Sequence, residues 1–555
     1  MTIANNRLVF LPLGGSGEIG MNLNLYGWGE AGNESWVMID LGVTFGGPEE
    51  PGIDLIMPDI SFIEERRDRL LALVLTHAHE DHIGAVAHLW ERLQCPIYAT
   101  PFTAMLVEAK LREQGLPVTM INRIKTGDSI RIGQFDIQYM AITHSIPESH
   151  LLGIKTPAGR IVHTGDWKFD PDPVIGKVSD HQGFSRFAED GEVLAMVCDS
   201  TNAMTPGHSG SERDVANNLI EVVRKVRGRA VITTFASNAA RVKAIFEAAA
   251  ANDRQVVLVG RSMHRIVEAA RSSGYLAGLP ASVPEEQAGF LPAEHTLILC
   301  TGSQGEGRAA LGKMAEGNHP HISLNSTDTV IFSSKVIPGN EKSVFRILNL
   351  LAEQGVQVVT EKQAPIHVSG HPCRDELVQM YQLIRPKLSI PVHGEPMHMM
   401  EHARIAYGVG IPQAIVPHNG MMIELAPNLG EVVDDVPAGR MYIDGRINEL
   451  ARGSAADDRR RLTFAGIAFV SLLHKGREIE KLTISSRGVP TQLLEDHADQ
   501  FDEAISAVFA VDGKLPSEEV IAEKVRQAVR RIYKLLWGKK PLVEVEVTNI
   551  EEFAS

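Results

Sequence analysis

The chain has 555 residues, 44% of them hydrophobic and 22% charged. That is the make-up of an ordinary globular protein rather than a disordered or fibrous one, with room for three or four domains at roughly 150 residues each. Lysine and arginine total 54 against 69 acidic residues, a net charge of −15, so a polyanion would have to be held by a local cationic site or by metal ions, not by a generally basic surface.

The four cysteines (Cys95, Cys198, Cys300, Cys373) are scattered and never form C-x-x-C, which argues against a disulfide framework or a cysteine zinc knuckle. No apolar run approaches the roughly 20 residues of a membrane span, and Met1–Arg7 lacks the charged-then-apolar order of a secretion signal. The expectation is a reduced, cytoplasmic, multidomain protein.

In chain order, Arg7–Leu13, Met21–Tyr26 and Ser35–Leu41 read as short strands, and Leu70–Leu75 as a short buried one. Gly15-Ser-Gly17-Glu-Ile-Gly20 matches G-x-G-x-x-G, with Asp40 where a ribose-binding acid would stand. That fingerprint needs a helix after the glycines to receive a pyrophosphate, yet Met21-Asn-Leu-Asn-Leu-Tyr26 alternates with period two. A glycine-rich turn beside an active site, or a plain hairpin turn, is expected instead. Helices are predicted over Ile83–Leu93 and Phe102–Gln114. Strands are predicted over Phe135–Ala141, Leu151–Thr156 and Arg160–His163, the pattern of sheets covered by helices.

From about Ser211 helix and strand alternate regularly. Helices are read at Glu212–Val226 and Ala239–Ala251, and strands at Ala230–Thr234, Val256–Val259, Thr296–Cys300, Thr329–Phe332 and Val356–Thr360. This predicts a parallel α/β unit. Met421–Arg461, rich in Gly, Pro and Asp without a sustained period, reads largely as linker, and Leu462–Leu473 as a strand. Ser517-Glu-Glu opens a long helix carrying Lys524, Arg526, Arg530, Arg531 and Lys534. Such a face is more often solvated than bound to RNA or another subunit.

Chemistry concentrates in Thr76-His77-Ala78-His79-Glu80-Asp81-His82, directly after the buried strand. Residues two apart in an extended segment project to one side, so His77 and His79 converge. Asp81 and His82 follow as the chain turns into a helix. Four ligand-type residues in six positions exceed one closed tetrahedral site and suit two neighbouring ions, for which imidazole nitrogen and carboxylate oxygen are proper zinc or manganese donors.

H-x-H-x-D-H is the signature of the metallo-β-lactamase superfamily, which this sequence resembles. The resemblance implies that Asp40 orients the metal-binding loop and that His144, in Ile142-Thr-His-Ser, and Asp166, in His163-Thr-Gly-Asp, are further ligands. Flavin diiron members carry Glu at the position of His79 and a flavodoxin domain, and neither is seen. Cys198-Asp199-Ser-Thr-Asn202 looks like the opening of a β-CASP insert, and His367-Val-Ser-Gly-His371 and Pro391-Val-His393-Gly-Glu395 look like the later histidine motifs. With Gly14–Asn22, Thr234-Phe-Ala-Ser-Asn238 and Thr301-Gly-Ser-Gln-Gly-Glu306, the chain resembles the ribonuclease J family of RNA-processing β-CASP nucleases over about residues 7–425, and more loosely beyond.

The resemblance implies a metallo-β-lactamase αββα sandwich, with residues 1–210 its first part and 365–427 its return. A parallel α/β β-CASP domain (211–364) is inserted, and a linker (428–459) leads to a small C-terminal α/β domain (460–555). It implies two divalent ions, zinc with manganese as an alternative. One is bound by His77, His79, His144 and Asp166, the other by Asp81, His82, Asp166 and His393. A hydroxide between them would attack phosphorus, with Asp81, Asp199 and His371 as the catalytic set; which residue protonates the leaving 3′-oxygen stays open. His367, Val368, Ser369, Gly370 and His371 would cradle a 5′-terminal phosphate. Ser237 would add a hydrogen bond and Phe235 a stacking surface, unless Phe235 packs in the core.

The implied activity is 5′→3′ exonuclease on single-stranded RNA favouring 5′-monophosphate ends, with endonuclease activity, in RNA maturation (rRNA included) and mRNA decay. The implied partners are a homodimer or homotetramer mate through the C-terminal domain and RNA-degradation or ribosome-associated proteins, with no membrane. Competing readings are a DNA nuclease, a small-ester hydrolase on the same fold and a non-catalytic RNA-binding scaffold.

Overall fold

Leu8-Val-Phe-Leu-Pro-Leu13 is apolar at consecutive positions because both faces of its strand are covered, and every one of these side chains is buried. The computed structural model describes residues 6–453, 455–510 and 515–550. It divides into two units, one built from residues up to 44 and 57–439, the other from 45–56 and the residues from 440 on.

The larger unit contains two facing sheets. The first runs, in spatial order, Glu431–Asp435, Met421–Ala426, Asn6–Gly14, Leu23–Glu30, Ser35–Ile39, Leu70–Val74, Ile97–Ala99 and Ile121–Arg123. The second runs Gln413–Ala414, Leu388–Val392, Val193–Asp199, Gly159–His163, His150–Thr156, Phe135–Ala141 and Ser129–Ile132. Phe10, Tyr26, Val37 and Val74 from one sheet meet Tyr139, Leu152, Ile161, Val197 and Ile390 from the other in one buried cluster. Helices His181–Glu189, Arg374–Ile384 and Pro396–Gly408 close the outer side of the second sheet through Phe184, Leu377 and Ile405. Pro101–Glu113 contacts the strands at the far edge of the first. The layers are helix, sheet, sheet, helix, the sandwich expected.

Between Asp199 and Arg374 the chain leaves this sandwich and forms a five-stranded sheet in the order Gln255–Val259, Thr296–Cys300, Ala230–Thr233, Thr329–Phe332, Gln357–Val359. Every pairing is parallel, and helices such as Ala239–Ala250 and Glu341–Glu353 link the strands, as a parallel ladder requires. The alternation read from Ser211 onward is this unit.

Two expectations are corrected. The helix read over Ile83–Leu93 is broken into Glu80–Ile83 and Val86–Leu93. Asp81 O is taken by the Asn22 N–H (2.9 Å) and the Ala85 N–H goes to Leu41 O (3.1 Å), which interrupts the i to i−4 ladder. Gly84 is required by close approach, since a Cβ there would lie 2.5 Å from Glu80 O and 2.6 Å from Val43 Cγ2.

The second correction concerns Met421–Arg461, which is not mainly linker. It holds strands Met421–Ala426, Glu431–Asp435, Arg440–Asp444 and Ile447–Leu450 and most of a helix, Ala455–Ala465. That helix also delays the following strand, which spans Ile467–Lys475 rather than starting at Leu462.

In the smaller unit Ile467–Lys475 pairs with Glu478–Arg487 and Leu542–Asn549, and helices Ala498–Phe509 and Glu518–Trp537 supply Phe501, Ile505, Val525, Val529 and Tyr533 to its core. Ser517 precedes the long helix as expected. No helix of the described residues is long and apolar enough to cross a membrane.

Candidate active site

Parallel strands deliver their C-terminal ends to one place, where ligands of α/β sheets commonly lie. Ser35–Ile39 and Leu70–Val74 run parallel and end in Asp40 and in His77–His82. In the second sheet Gly159–His163, Val193–Asp199 and Leu388–Val392 are parallel and lead to Asp166, Asp199 and His393.

Asp40 sits at φ +62°, a conformation that a non-glycine residue keeps only when its surroundings enforce it. Here the Thr76 N–H donates to its Oδ1 (2.8 Å), and the Thr76 hydroxyl (2.7 Å) and His82 Nδ1–H (2.7 Å) donate to its Oδ2. With its Nδ1 proton fixed by Asp40, His82 presents Nε2 towards Asp166 Oδ2, 3.2 Å away. Burial works against charge on His82, but Asp166, Asp81 and Asp40 outweigh it and hold its pKa well above the ordinary imidazole value. Acids that attract a proton so strongly attract a cation equally.

Asp166 is the centre of the constellation. Its Oδ2 lies 3.2 Å from His82 Nε2, 3.3 Å from His393 Nε2, 3.8 Å from His371 Nδ1, 3.9 Å from His77 Nε2 and 4.0 Å from His144 Nε2. Burial alone would raise its pKa, yet the His393 and His82 rings hold it well below the carboxylate range. Two groups share this residue: His77, His79, His144 and Asp166, and Asp81, His82, Asp166 and His393.

In the first group His79 Nδ1 faces His77 Nε2 at 3.1 Å and His144 Nε2 at 3.0 Å. Burial takes the His79 pKa down to about 4 and those of His77 and His144 well below the ordinary value, so the nitrogens face each other as neutral lone-pair donors. The His144 ring is set by its Nδ1, 2.6 Å from Gly370 O. In the second group His393 Nε2 lies 3.5 Å from Asp81 Oδ2. Asp166 Oδ2 and His393 Nε2 are buried without a hydrogen-bond partner. Unsatisfied buried acceptors are costly, and lone pairs converging on them fit divalent cations with nitrogen and oxygen ligands.

The glycine-rich turn belongs to this site and not to a dinucleotide, because the strand Leu23–Glu30 follows it where a helix would be needed. Gly15 O accepts the His393 N–H (2.6 Å), holding that residue at φ +52°. A Cβ on Gly15 would collide with Asn22 Oδ1 at 2.3 Å. Asn22 donates to Asp81 O (3.1 Å), and its amide nitrogen also lies 3.1 Å from His82 Nε2 and 3.4 Å from His393 Nδ1.

His371 Nδ1 lies 2.8 Å from Asp199 Oδ2. Burial opposes charge on the ring, but the Asp199 carboxylate prevails and its pKa rises to about 9. Asp199 Oδ1 in turn accepts the Thr201 N–H and hydroxyl, both at 2.8 Å.

Ser369 Oγ accepts from Asn202 Nδ2 (2.6 Å) and from the His371 N–H (3.1 Å), and Asn202 also reaches His371 O (3.2 Å). A Cβ on Gly370 would stand 2.8 Å from His144 Cε1, so only glycine lets the 367–371 loop approach the imidazole cluster this closely. Val368 lies against Gly210, a packing position. His367 is half-buried, with its pKa taken down to about 3 by burial and by the nearby Arg241. Phe235 and Ser237 stand, half-buried, on the turn before the helix Ala239–Ala250, and the Ala240 N–H of that helix donates to Ser145 O (3.3 Å).

Sequence reasoning assigned no role to Asn22, Thr76, Asn202 or Arg241. The fully buried Arg241 binds Glu212 through Nε and Nη2 (both 3.1 Å), and its Nη1 donates to Ile366 O (3.0 Å), the residue before the 367–371 loop. Asn22, Thr76 and Asn202 did lie inside quoted motifs, and that was their only signal.

Comparison with known proteins identifies the family. A model of the metallo-β-lactamase superfamily matches residues 28–230. One described as "Ribonuclease J, beta-CASP domain" matches 227–351, and one described as "Zn-dependent metallo-hydrolase RNA specificity domain" matches 355–412. The chain is 43% identical to the ribonuclease J of Sinorhizobium meliloti over 98% of each. It is 36% identical to that of Mycolicibacterium smegmatis, over 99% of this chain and 98% of the relative. A crystal structure of a protein of unknown function from Enterococcus faecalis superposes with a TM-score of 0.50 at 17% identity, over 75% of this chain and 100% of the other, a likeness of fold alone.

Proposed function

The chain belongs to the ribonuclease J family, and on that premise we propose that it is a metal-dependent hydrolase of single-stranded RNA, trimming 5′→3′ from monophosphate ends and also cutting internally. The observation that carries this is the convergence of six imidazole and carboxylate side chains on Asp166, with Asp166 Oδ2 and His393 Nε2 left unpartnered.

His77, His79, His144 and Asp166 would hold one divalent ion, and Asp81, His82, Asp166 and His393 a second, zinc or manganese by the chemistry of the donors. When bound, such ions supply Lewis acidity, lowering the pKa of water and offsetting charge on phosphoryl oxygens.

The rest falls to the chain. Asp40 and Gly370 O keep His82 and His144 in the orientation that turns Nε2 towards Asp166. Asp199, bonded to His371 Nδ1, orients that ring so that its Nε2 can deliver a proton to the leaving 3′-oxygen. The 367–371 loop, with Ser369 positioned by Asn202, receives the terminal phosphate, and Phe235 offers a face for the first base. RNA maturation, rRNA included, and mRNA decay are the settings that family membership suggests.

One RNA labelled at either end, carrying a 5′-monophosphate or a 5′-hydroxyl, tests the reading beside DNA of the same sequence, with Zn²⁺ or Mn²⁺ supplied. Expected are chelator-sensitive mononucleotide release from the monophosphate RNA, slower attack on the hydroxyl form and intact DNA. His79→Ala and Asp166→Ala should abolish cleavage with circular dichroism unchanged. Equal digestion of DNA, or cleavage by either variant at the parent rate, would refute the assignment.

A further inference from the structure

The loop that carries His144 also walls a cavity of about 320 Å³, large enough for a mononucleotide. Lys125 and Lys177 line it; both are exposed, and neither forms an ion pair among the described residues. Deeper in the wall is His150, only 1% exposed, whose Nε2 lies 2.9 Å from Thr126 Oγ1. Burial takes the His150 pKa down to about 4, with Lys177 close enough to add to the effect.

The one carboxylate in the wall, Glu148, is already engaged. It accepts the Phe102 N–H (2.8 Å) at the start of the helix Pro101–Glu113 and the Tyr275 hydroxyl (3.0 Å), and it pairs with neither lysine. The half-buried Tyr275 ring and Ile146 give the cavity an apolar side. Two ammonium groups without an ion-pair partner and an apolar wall match a phosphate joined to a base.

We propose that this cavity is a second phosphate-binding subsite, separate from the 367–371 loop, that takes a nucleotide through Lys125 and Lys177. The phosphate belongs either to a free 5′-mononucleotide or to the backbone of a bound RNA strand; the strand source rests on the ribonuclease reading above, while the free-nucleotide source does not.

Two measurements on the full chain decide. Calorimetry with cytidine 5′-monophosphate on the parent protein, Lys125→Ala/Lys177→Ala and Ser369→Ala reports the free nucleotide. Steady-state cleavage of a long RNA reports the strand. Loss of a binding step in the double variant that Ser369→Ala retains assigns the cavity to the mononucleotide. A rise in KM of about tenfold with kcat unchanged assigns it to the strand. If the double variant keeps both the nucleotide isotherm and the parent KM, the subsite does not exist. A parent protein that cleaves no RNA defeats the ribonuclease reading and leaves the calorimetry to decide this one.

Discussion

Asp40 touches no substrate, yet its left-handed backbone and three hydrogen bonds fix both the Thr76 turn and the face that His82 presents. Groups that orient a metal-binding imidazole typically contribute 10–100-fold in affinity. Asp40→Asn is therefore expected to fold and to lose metal by about that factor, read as metal content after dialysis against a graded chelator. Parent-level retention would show that His82 needs no such support. The acid itself was legible, because it ends Val37-Met-Ile-Asp40 in the order the superfamily sets. Its partner Thr76 was not, since a threonine before a histidine motif has no spacing that announces a hydrogen bond. Asn22 was hidden for the same reason: its contacts lie 59 and 371 residues away.

The helix Ala239–Ala250 joins the inserted sheet to the loop proposed to receive phosphate. Arg241 near its start pairs with Glu212, at the start of the helix Glu212–Lys225, while donating to Ile366 O, which also accepts from the Ser333 hydroxyl (2.7 Å). Removing one partner of a buried pair strands the other charge at about 3–5 kcal/mol, whereas replacing both with apolar groups is close to neutral. Arg241→Met should cost about that much in urea unfolding, and Arg241→Met/Glu212→Leu should recover most of it. A double variant no more stable than the single would mean that the guanidinium acts through Ile366 and Ser333 alone.

Elements of this insert were readable because their periods are long and regular. The stretch read as linker was not. Glu431–Asp435 is a largely exposed strand with acidic ends beside Met421–Ala426, and a half-polar pattern over five residues in Gly- and Pro-rich surroundings carries no period to detect.

At the scale of the whole molecule, neutral histidines built into the interior set the acid limit. His150, His163 and His402 are buried and their pKa values lie at about 4, with desolvation as the leading cause in each. The unfolded chain takes up these protons below about 6.5, while the folded one resists until about 4. The stability contributed by these three rings is thus full above 6.5 and falls by about 1.4 kcal/mol per pH unit for each group between those values. Urea midpoints measured from pH 7.5 to 4.5 should fall with that onset, and a flat profile would mean that these rings are not buried in solution.

The sandwich is also stitched shut late. Asn6–Gly14 pairs with Met421–Ala426, and Val193–Asp199 with Leu388–Val392. During synthesis the earliest strands therefore wait, one side bare, for partners made hundreds of residues afterwards, and bare strand edges invite aggregation. A ribosome that stalls inside the insert would release a sticky fragment lacking His393. Such a fragment holds only Asp81, His82 and Asp166 of the second ligand group, so that candidate site stays one donor short.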